Sequence, residues 1–296
     1  MIKIRIPATS ANLGAGFDAL GLAVSCYNYV GMQEYDGVKI TSKDKHNIPL
    51  DKSNLIYQTA KQVYDICGKR FSGLMIEQES NIPMTRGLGS SSACIIAGLV
   101  GANTLLGNPL SHDDLVNLSA KIEGHPDNTA PCLLGGIVTA VFDSGKVHWV
   151  KQEVCGHLDF VAIIPNYTVK TETARACLPM QVSHKDAVFN LSRAALFSAS
   201  ILTGKYENLQ VATEDRLHQN FRLKLMPNVE QVMQVAERLG AYASYISGAG
   251  PTIMSIVDAN KVGFVAELRN ALNKQGLDEW QLLKLNIDNQ GTTILK

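Results

Sequence analysis

An α+β fold of two layered domains is what the order of elements along this chain predicts. Runs with period-two alternation and runs with helical spacing follow one another, but never in the regular strand–helix repeat of a doubly wound sheet. Glycine-rich loops mark three separate places, and the second half restarts with strands and helices of its own. The 296 residues suffice for two cores. The division is expected near residue 153, giving domains 1–153 and 154–296.

Ile2, Ile4 and Ile6 alternate with Lys3 and Arg5, an opening strand with one buried face. The loop PATSANLGAGFDALG follows, then strands at residues 23–35 and 38–41. Residues 54–67 carry Leu55, Ala60, Val63 and Ile66 at helical spacing, with Asp51 or Ser53 as the expected N-cap. A strand at 71–77 leads through PMTRGLGSSSAC into an apolar helix at Ala93. The amphipathic helix 113–123 must stop at GHPDNTAP, because Gly124 and Pro126 forbid its continuation. LLGGIVTAVFD and KVHWVKQEV read as strands. In the second half, 158–164 is an aliphatic strand, and 187–203 and 229–239 are helices, the latter starting after Pro227. Strands at 242–247 and 252–257 flank the loop GAGP, a helix covers 262–274, and a long last strand covers 280–287.

The 27 basic and 27 acidic residues cancel, so no global field draws the chain to nucleic acid or to an anionic membrane. The apolar stretch 93–106 is too short to span a bilayer, and MIKIRIPATS lacks the apolar core of a signal peptide. Cys26, Cys67, Cys94, Cys132, Cys155 and Cys177 are scattered without a C-x-x-C pair, which suits reduced thiols in a cytoplasmic protein.

Three segments point to chemistry. Gly87 and Gly89 let the backbone come close to a ligand, and Ser90, Ser91 and Ser92 then open a helix whose free N–H groups favour phosphate. A serine-capped helix after a glycine turn would look the same, and no lysine follows as in a Walker A loop. EGHPDN at 123–128 gathers two carboxylates, an imidazole and an amide in one turn, where polar residues are common anyway. Beside a phosphate loop, however, a phosphoryl-transfer site needs an acidic group for Mg²⁺ and polar groups to orient the acceptor. Gly14, Gly16 and Ala19 match G-x-G-x-x-A with Glu34 downstream, which would make an NAD-dependent oxidoreductase. That reading requires a helix from Phe17, whereas AVSCYNYVGMQEY continues from the loop as one strand.

Taken in order, PATSANLGAGFDALG, PMTRGLGSSSA and SGAGPT resemble the three motifs of the GHMP kinase superfamily. The first, with IEGHPDNTAP, TETAR and DRLHQNFR, is more similar to homoserine kinases than to mevalonate, galactose or isoprenoid-precursor kinases. The resemblance implies a first domain like ribosomal protein S5 domain 2 and a ferredoxin-like second domain, with the active site between them. It implies ATP at Pro83, Met84, Thr85, Arg86, Gly87, Leu88, Gly89, Ser90, Ser91, Ser92 and Ala93, and Mg²⁺ at Ser91 and Glu123. Homoserine would lie among Asn12, Asp18, His125, Thr171, Arg175 and Arg222, with His125, Asp127 and Asn128 at the reacting hydroxyl. A homodimer is expected by family analogy. Ala15, Thr129 and Asn220 depart from the proline, valine and proline usual at those places. A GHMP kinase for another small alcohol and a catalytically dead GHMP-like binding protein are the alternatives. Intact Ser91, Glu123 and Asp127 argue against the latter.

Overall fold

In the computed structural model, residues 1–43, 48–154 and 157–295 are described. The first half contains β1 (Ile2–Ala11), β2 (Leu20–Glu34), β3 (Gly37–Ser42), α1 (Leu55–Ile66), β4 (Gly73–Ser80), α2 (Ser90–Leu105), α3 (His112–Glu123), α4 (Thr129–Leu134), β5 (Ile137–Asp143) and β6 (Lys146–Gln152). The second contains β7 (Leu158–Ile164), α5 (Thr171–Ala176), α6 (His184–Thr203), α7 (Leu209–Ala212), α8 (Gln219–Arg222), α9 (Val229–Arg238), β8 (Ala243–Ile246), β9 (Ile253–Asp258), α10 (Phe264–Lys274), β10 (Gln281–Leu285) and β11 (Thr293–Leu295).

The first sheet runs β11-β1-β2-β4-β3, and β5 and β6 extend it from the near end of β2. The 15-residue β2 serves two neighbours, pairing Leu20–Leu22 with β5 and Asn28–Glu34 with β4. The register of β1 on β2 shifts between Pro7 and Ala8, where proline offers no ladder donor. Beyond that bulge every residue from Ala8 to Ala11 is buried, so β1 drives straight into the interior and delivers the loop that follows it. The second sheet has the antiparallel order β10-β7-β9-β8, the ferredoxin-like arrangement.

The seven residues of β7 are all buried because the strand serves two cores. Val161 and Ile163 join Val232, Phe264, Leu268 and Trp280 under α9 and α10. Phe160 and Ala162 face the other way and join the main core with Ile6, Leu22 and Ile96. Apolar contact is therefore continuous from one sheet to the other. Among the described residues no helix is long and apolar enough to cross a membrane.

Several elements differ from the sequence expectation. The N-cap of α1 is Asn54, whose Oδ1 accepts from the Ile56 amide at 3.0 Å; Asp51 instead binds Ser53. The apolar helix α2 starts at Ser90 rather than Ala93. Residues 129–134, expected as loop and strand, form α4, and the TETAR segment forms α5. The last strand expected over 280–287 ends at Leu285, with only an isolated bridge between Ile287 and Val24 beyond it. The chain then crosses back, and β11 pairs antiparallel with β1. Cys155 lies outside the described residues, and Cys26, Cys67, Cys132 and Cys177 are free thiols.

Candidate active site

The three glycine-marked segments meet at one place. The loop after β1 turns through positive φ at Asn12, Leu13, Gly14 and Asp18, and leads directly into β2 without the helix a dinucleotide fold requires. Asn12 fastens this loop at both ends. Its Nδ2 donates to the Gly248 carbonyl at 3.0 Å and its Oδ1 accepts from the Asp18 amide at 3.1 Å. The turn after β8 clasps the 83–93 loop as well. Ser247 Oγ donates to the Gly87 carbonyl at 2.6 Å, and the Thr252 amide donates to the Arg86 carbonyl at 3.3 Å.

That clasp corrects one expectation about the glycines. Gly87 and Gly89 have φ of 77° and 67°. A Cβ on Gly87 would strike the Ser247 carbonyl, and one on Gly89 would strike the Thr9 side chain. The space a side chain would need is filled by the protein itself, so these glycines let the loops close on one another.

Together the segments enclose a cavity of about 380 Å³. Asn12, Asp18, Glu123, His125, Asp127, Asn128, Thr171, Arg175 and Arg222 all border it. From the glycine loop, Met84, Thr85, Arg86, Gly87, Gly89, Ser90, Ser91 and Ser92 line it, whereas Leu88 and Ala93 are buried in the core and Pro83 does not line it. Leu55 and Gln78 form part of the far wall. Nothing in the sequence marked them, because one reads as helix and the other as strand.

At one end lie the charges. Arg175 grips Asp18 through two hydrogen bonds, Nη2 to Oδ1 at 2.7 Å and Nη1 to Oδ2 at 3.1 Å. That partnership holds the guanidinium above even its usual pKa. Arg222 is 2% exposed, and no carboxylate lies within ion-pair distance of it among the described residues. Its Nε donates to the Ala174 carbonyl at 3.3 Å, and Nη1 donates to the Gly248 carbonyl at 2.7 Å and to His218 Nδ1 at 3.1 Å. Nη2 makes no hydrogen bond within the described residues. Burial lowers the pKa of Arg222, the mark of a charge without a counterion. Asn220, which departs from the expected proline, is exposed, two residues from the buried Arg222.

The helix-end turn also lines the cavity. His125 Nδ1 is bonded to Asp127 Oδ1. Burial pulls the imidazole down, but the hydrogen bond and charge of Asp127, joined by Asp18, outweigh it and raise its pKa. Thr9 Oγ1 donates to Asn128 Oδ1 at 2.8 Å, which fixes the amide's orientation and leaves Nδ2 to donate to Asp127 Oδ1 at 3.4 Å. Asp18, His125 and Asp127 each bring a donor atom within 4.8 Å of the others, yet Arg175 and His125 already balance those carboxylates. Glu123 is different. Burial raises its pKa, a Ser92 hydroxyl donates to it at 3.1 Å, and it has no ion-pair partner among the described residues. Ser91, exposed at the start of α2, faces the same cavity. An uncompensated carboxylate beside a helix start that offers free N–H groups fits a cation bound with phosphate.

The GHMP kinases N terminal domain matches residues 54–136, and the GHMP kinases C terminal domain matches residues 199–275. A homoserine kinase of Clostridium beijerinckii is 47% identical, covering 100% of this chain and 99% of its own. This chain belongs to the homoserine kinase family of GHMP kinases. A homoserine kinase of Caldicellulosiruptor bescii is 44% identical over 99% of this chain and 97% of its own. The crystal structure of a homoserine kinase from Cytophaga hutchinsonii superposes with a TM-score of 0.87 at 29% identity, covering 99% of this chain and 97% of that one. A mevalonate kinase of Methanococcus jannaschii, at 16% identity and a TM-score of 0.70, shares the fold over 96% of this chain and 98% of its own. Membership makes the chain an ATP-dependent kinase with an alcohol acceptor.

Proposed function

We propose that this kinase transfers the γ-phosphoryl group of ATP to the side-chain hydroxyl of L-homoserine, with Mg²⁺ held by Ser91 and Glu123. The substrate reading rests on Arg222. A guanidinium with three N–H groups bonded to the protein and two on Nη2 left over, buried without a counterion among the described residues, calls for a carboxylate from outside. Galactose and simple alcohols have none. The Asp18–Arg175 pair beside it carries the two charges that a zwitterion would exchange into, ammonium onto Asp18 and carboxylate onto Arg175. Thr171, at the first turn of α5, borders the same end.

On the nucleotide side, the start of α2 offers its free amides to phosphate and Glu123 supplies the negative charge a hard cation prefers. A bound Mg²⁺ would supply charge neutralisation on the phosphate oxygens. His125 and Asn128 orient the acceptor hydroxyl. Asp127 holds both from beneath and is buried, so positioning rather than early proton removal carries the step. Residues 1–153 bind the nucleotide and 154–296 supply the arginines. The free cysteines suit a cytoplasmic enzyme.

The test compares L-homoserine with 3-aminopropan-1-ol, the same molecule without its carboxylate, using Mg²⁺-ATP and measuring ADP release. The wild type should form O-phosphohomoserine and discriminate heavily against the amino alcohol. Arg222→Ala and Arg175→Ala should each raise the homoserine KM by an amount worth about 2–5 kcal/mol while leaving the ATP KM nearly unchanged. Both should also lose much of the discrimination. Comparable kcat/KM on mevalonate or galactose would leave the family intact and sink the substrate.

A further inference from the structure

We infer that His218 is a positioning residue that sets the register between the carboxylate end and the ammonium end of the amino-acid site. The inference rests on the homoserine reading above. His218 lies just before α8 with no exposed surface, and both ring nitrogens are engaged. Nδ1 stands 3.1 Å from Arg222 Nη1. A guanidinium only donates, so Nδ1 must accept. A neutral imidazole then carries its single proton on Nε2, which donates to the Gly14 carbonyl at 2.8 Å. The tautomer follows from the partners.

The ring is therefore a bridge. On one side it fixes Arg222 with Nη2 left for the cavity. On the other it holds the loop 12–18, whose far end carries Asp18 and through it Arg175. Three further contacts keep it still. Asp215 Oδ2 accepts from the His218 amide at 2.8 Å and from the next amide at 2.6 Å, and the ring stacks on Phe17 with centroids 5.1 Å apart. The Arg175 and Arg222 guanidinium carbons lie 5.6 and 5.3 Å from the centre of the same Phe17 ring. Burial pushes the imidazole pKa down, which keeps the accepting lone pair on Nδ1 available. The nucleotide half of the cavity makes none of these contacts. Loosening the bridge should therefore be felt by homoserine and not by ATP.

Two variants and one spectrum test this on the full-length enzyme. His218→Phe keeps the stack and most of the volume but loses both hydrogen bonds. It should raise the homoserine KM roughly tenfold or more, leave the ATP KM within about twofold, and reduce discrimination against 3-aminopropan-1-ol. His218→Asn, whose amide oxygen can replace Nδ1 toward Arg222, should recover part of that loss. Unchanged homoserine KM in the Phe variant, or equal rises for both substrates, overturns the inference. If the Phe variant fails to fold, nitrogen-15 NMR of the wild-type imidazoles decides. One ring should stay neutral between about pH 6 and 8 with its proton on Nε2. Protonation of Nδ1 in every neutral ring overturns the bridge. A wild type inactive on homoserine defeats the substrate reading instead, while the spectrum still tests the bridge.

Discussion

Glu123 carries the sharpest conflict between stability and function in the molecule. Its pKa is raised chiefly by burial, so the folded state holds the proton more tightly than the unfolded chain does. Stability from this group is then greatest below the unfolded carboxylate pKa and falls as pH rises through the folded one. At neutral pH, where this carboxylate is ionised in the unfolded chain, the group therefore weakens the ligand-free fold. Glu123→Gln, which can still accept from Ser92, should raise the Tm of the ligand-free enzyme at pH 7 and narrow its pH dependence. The same change should lower kcat by roughly a hundredfold, the scale of one lost electrostatic stabiliser. Added Mg²⁺ should restore part of the rate. A lower Tm with unchanged kcat would make Glu123 an ordinary helix-end residue. Thr129 offers a milder case. Its hydroxyl is buried in α4 with no hydrogen-bond partner among the described residues. Thr129→Val should gain about 1 kcal/mol, read as a Tm rise of about 2–4 °C, with kcat unchanged.

At the scale of elements, the turn between β8 and β9 behaves as a clasp. It reaches β1 through Ser247 Oγ and Ser10 Oγ at 2.8 Å, reaches the glycine loop through Gly87, and presents the Gly248 carbonyl to Asn12 and Arg222. The order of three motifs along the chain thus becomes one contact in space. Gly87→Ala puts a methyl group against the Ser247 carbonyl at a φ that L residues resist. It should cost about 2 kcal/mol or more in thermal or urea unfolding, and should raise the ATP KM more than the homoserine KM. A variant with wild-type stability and nucleotide affinity would show that the loop closes without the glycine. Helix α2 sits differently in this scheme. It is apolar on every side and packed within the main core, so its N-terminus is held rigidly at the cavity.

The whole molecule is held together by more than its shared core. After β10 completes the second sheet, the chain returns to the first, where the Asp288 amide donates to the Ala23 carbonyl at 2.9 Å and β11 pairs with β1. Gln290 Oε1 also accepts from Arg5 at 2.8 Å, and Thr292 Oγ1 donates to the Cys132 carbonyl at 2.9 Å. Removing residues 290–296 should therefore destabilise the fold by about 2–4 kcal/mol, a handful of hydrogen bonds at about 1 kcal/mol each. Calorimetry should register a Tm several degrees lower. Well below the transition kcat should be close to wild type, because among the described residues none of 290–295 borders the cavity. A kcat lost in parallel with Tm would mean that the C-terminal strand also shapes the site.

Much of this was present in the order of residues. Period-two alternation foretold β1, and helical spacing foretold α1, α3 and α9, because these elements answer to local rules of face and period. The ordered motifs, which keep their residue types wherever they stand in the chain, foretold the family and many of the residues that border the cavity, though not Leu55 or Gln78. The short helices α4 and α5 were missed, for neither has enough turns to display a period, and β11 was missed because its partner lies almost the full chain length away. Tertiary structure alone made Gly87 and Gly89 complements of Ser247 and Thr9, left Arg222 buried without a counterion among the described residues, and set the His218 ring between Arg222 and the distant Gly14. The physical reason is common to all three. Burial, close approach and hydrogen-bond partnership are relations between residues far apart in sequence, and they exist only once the chain has packed.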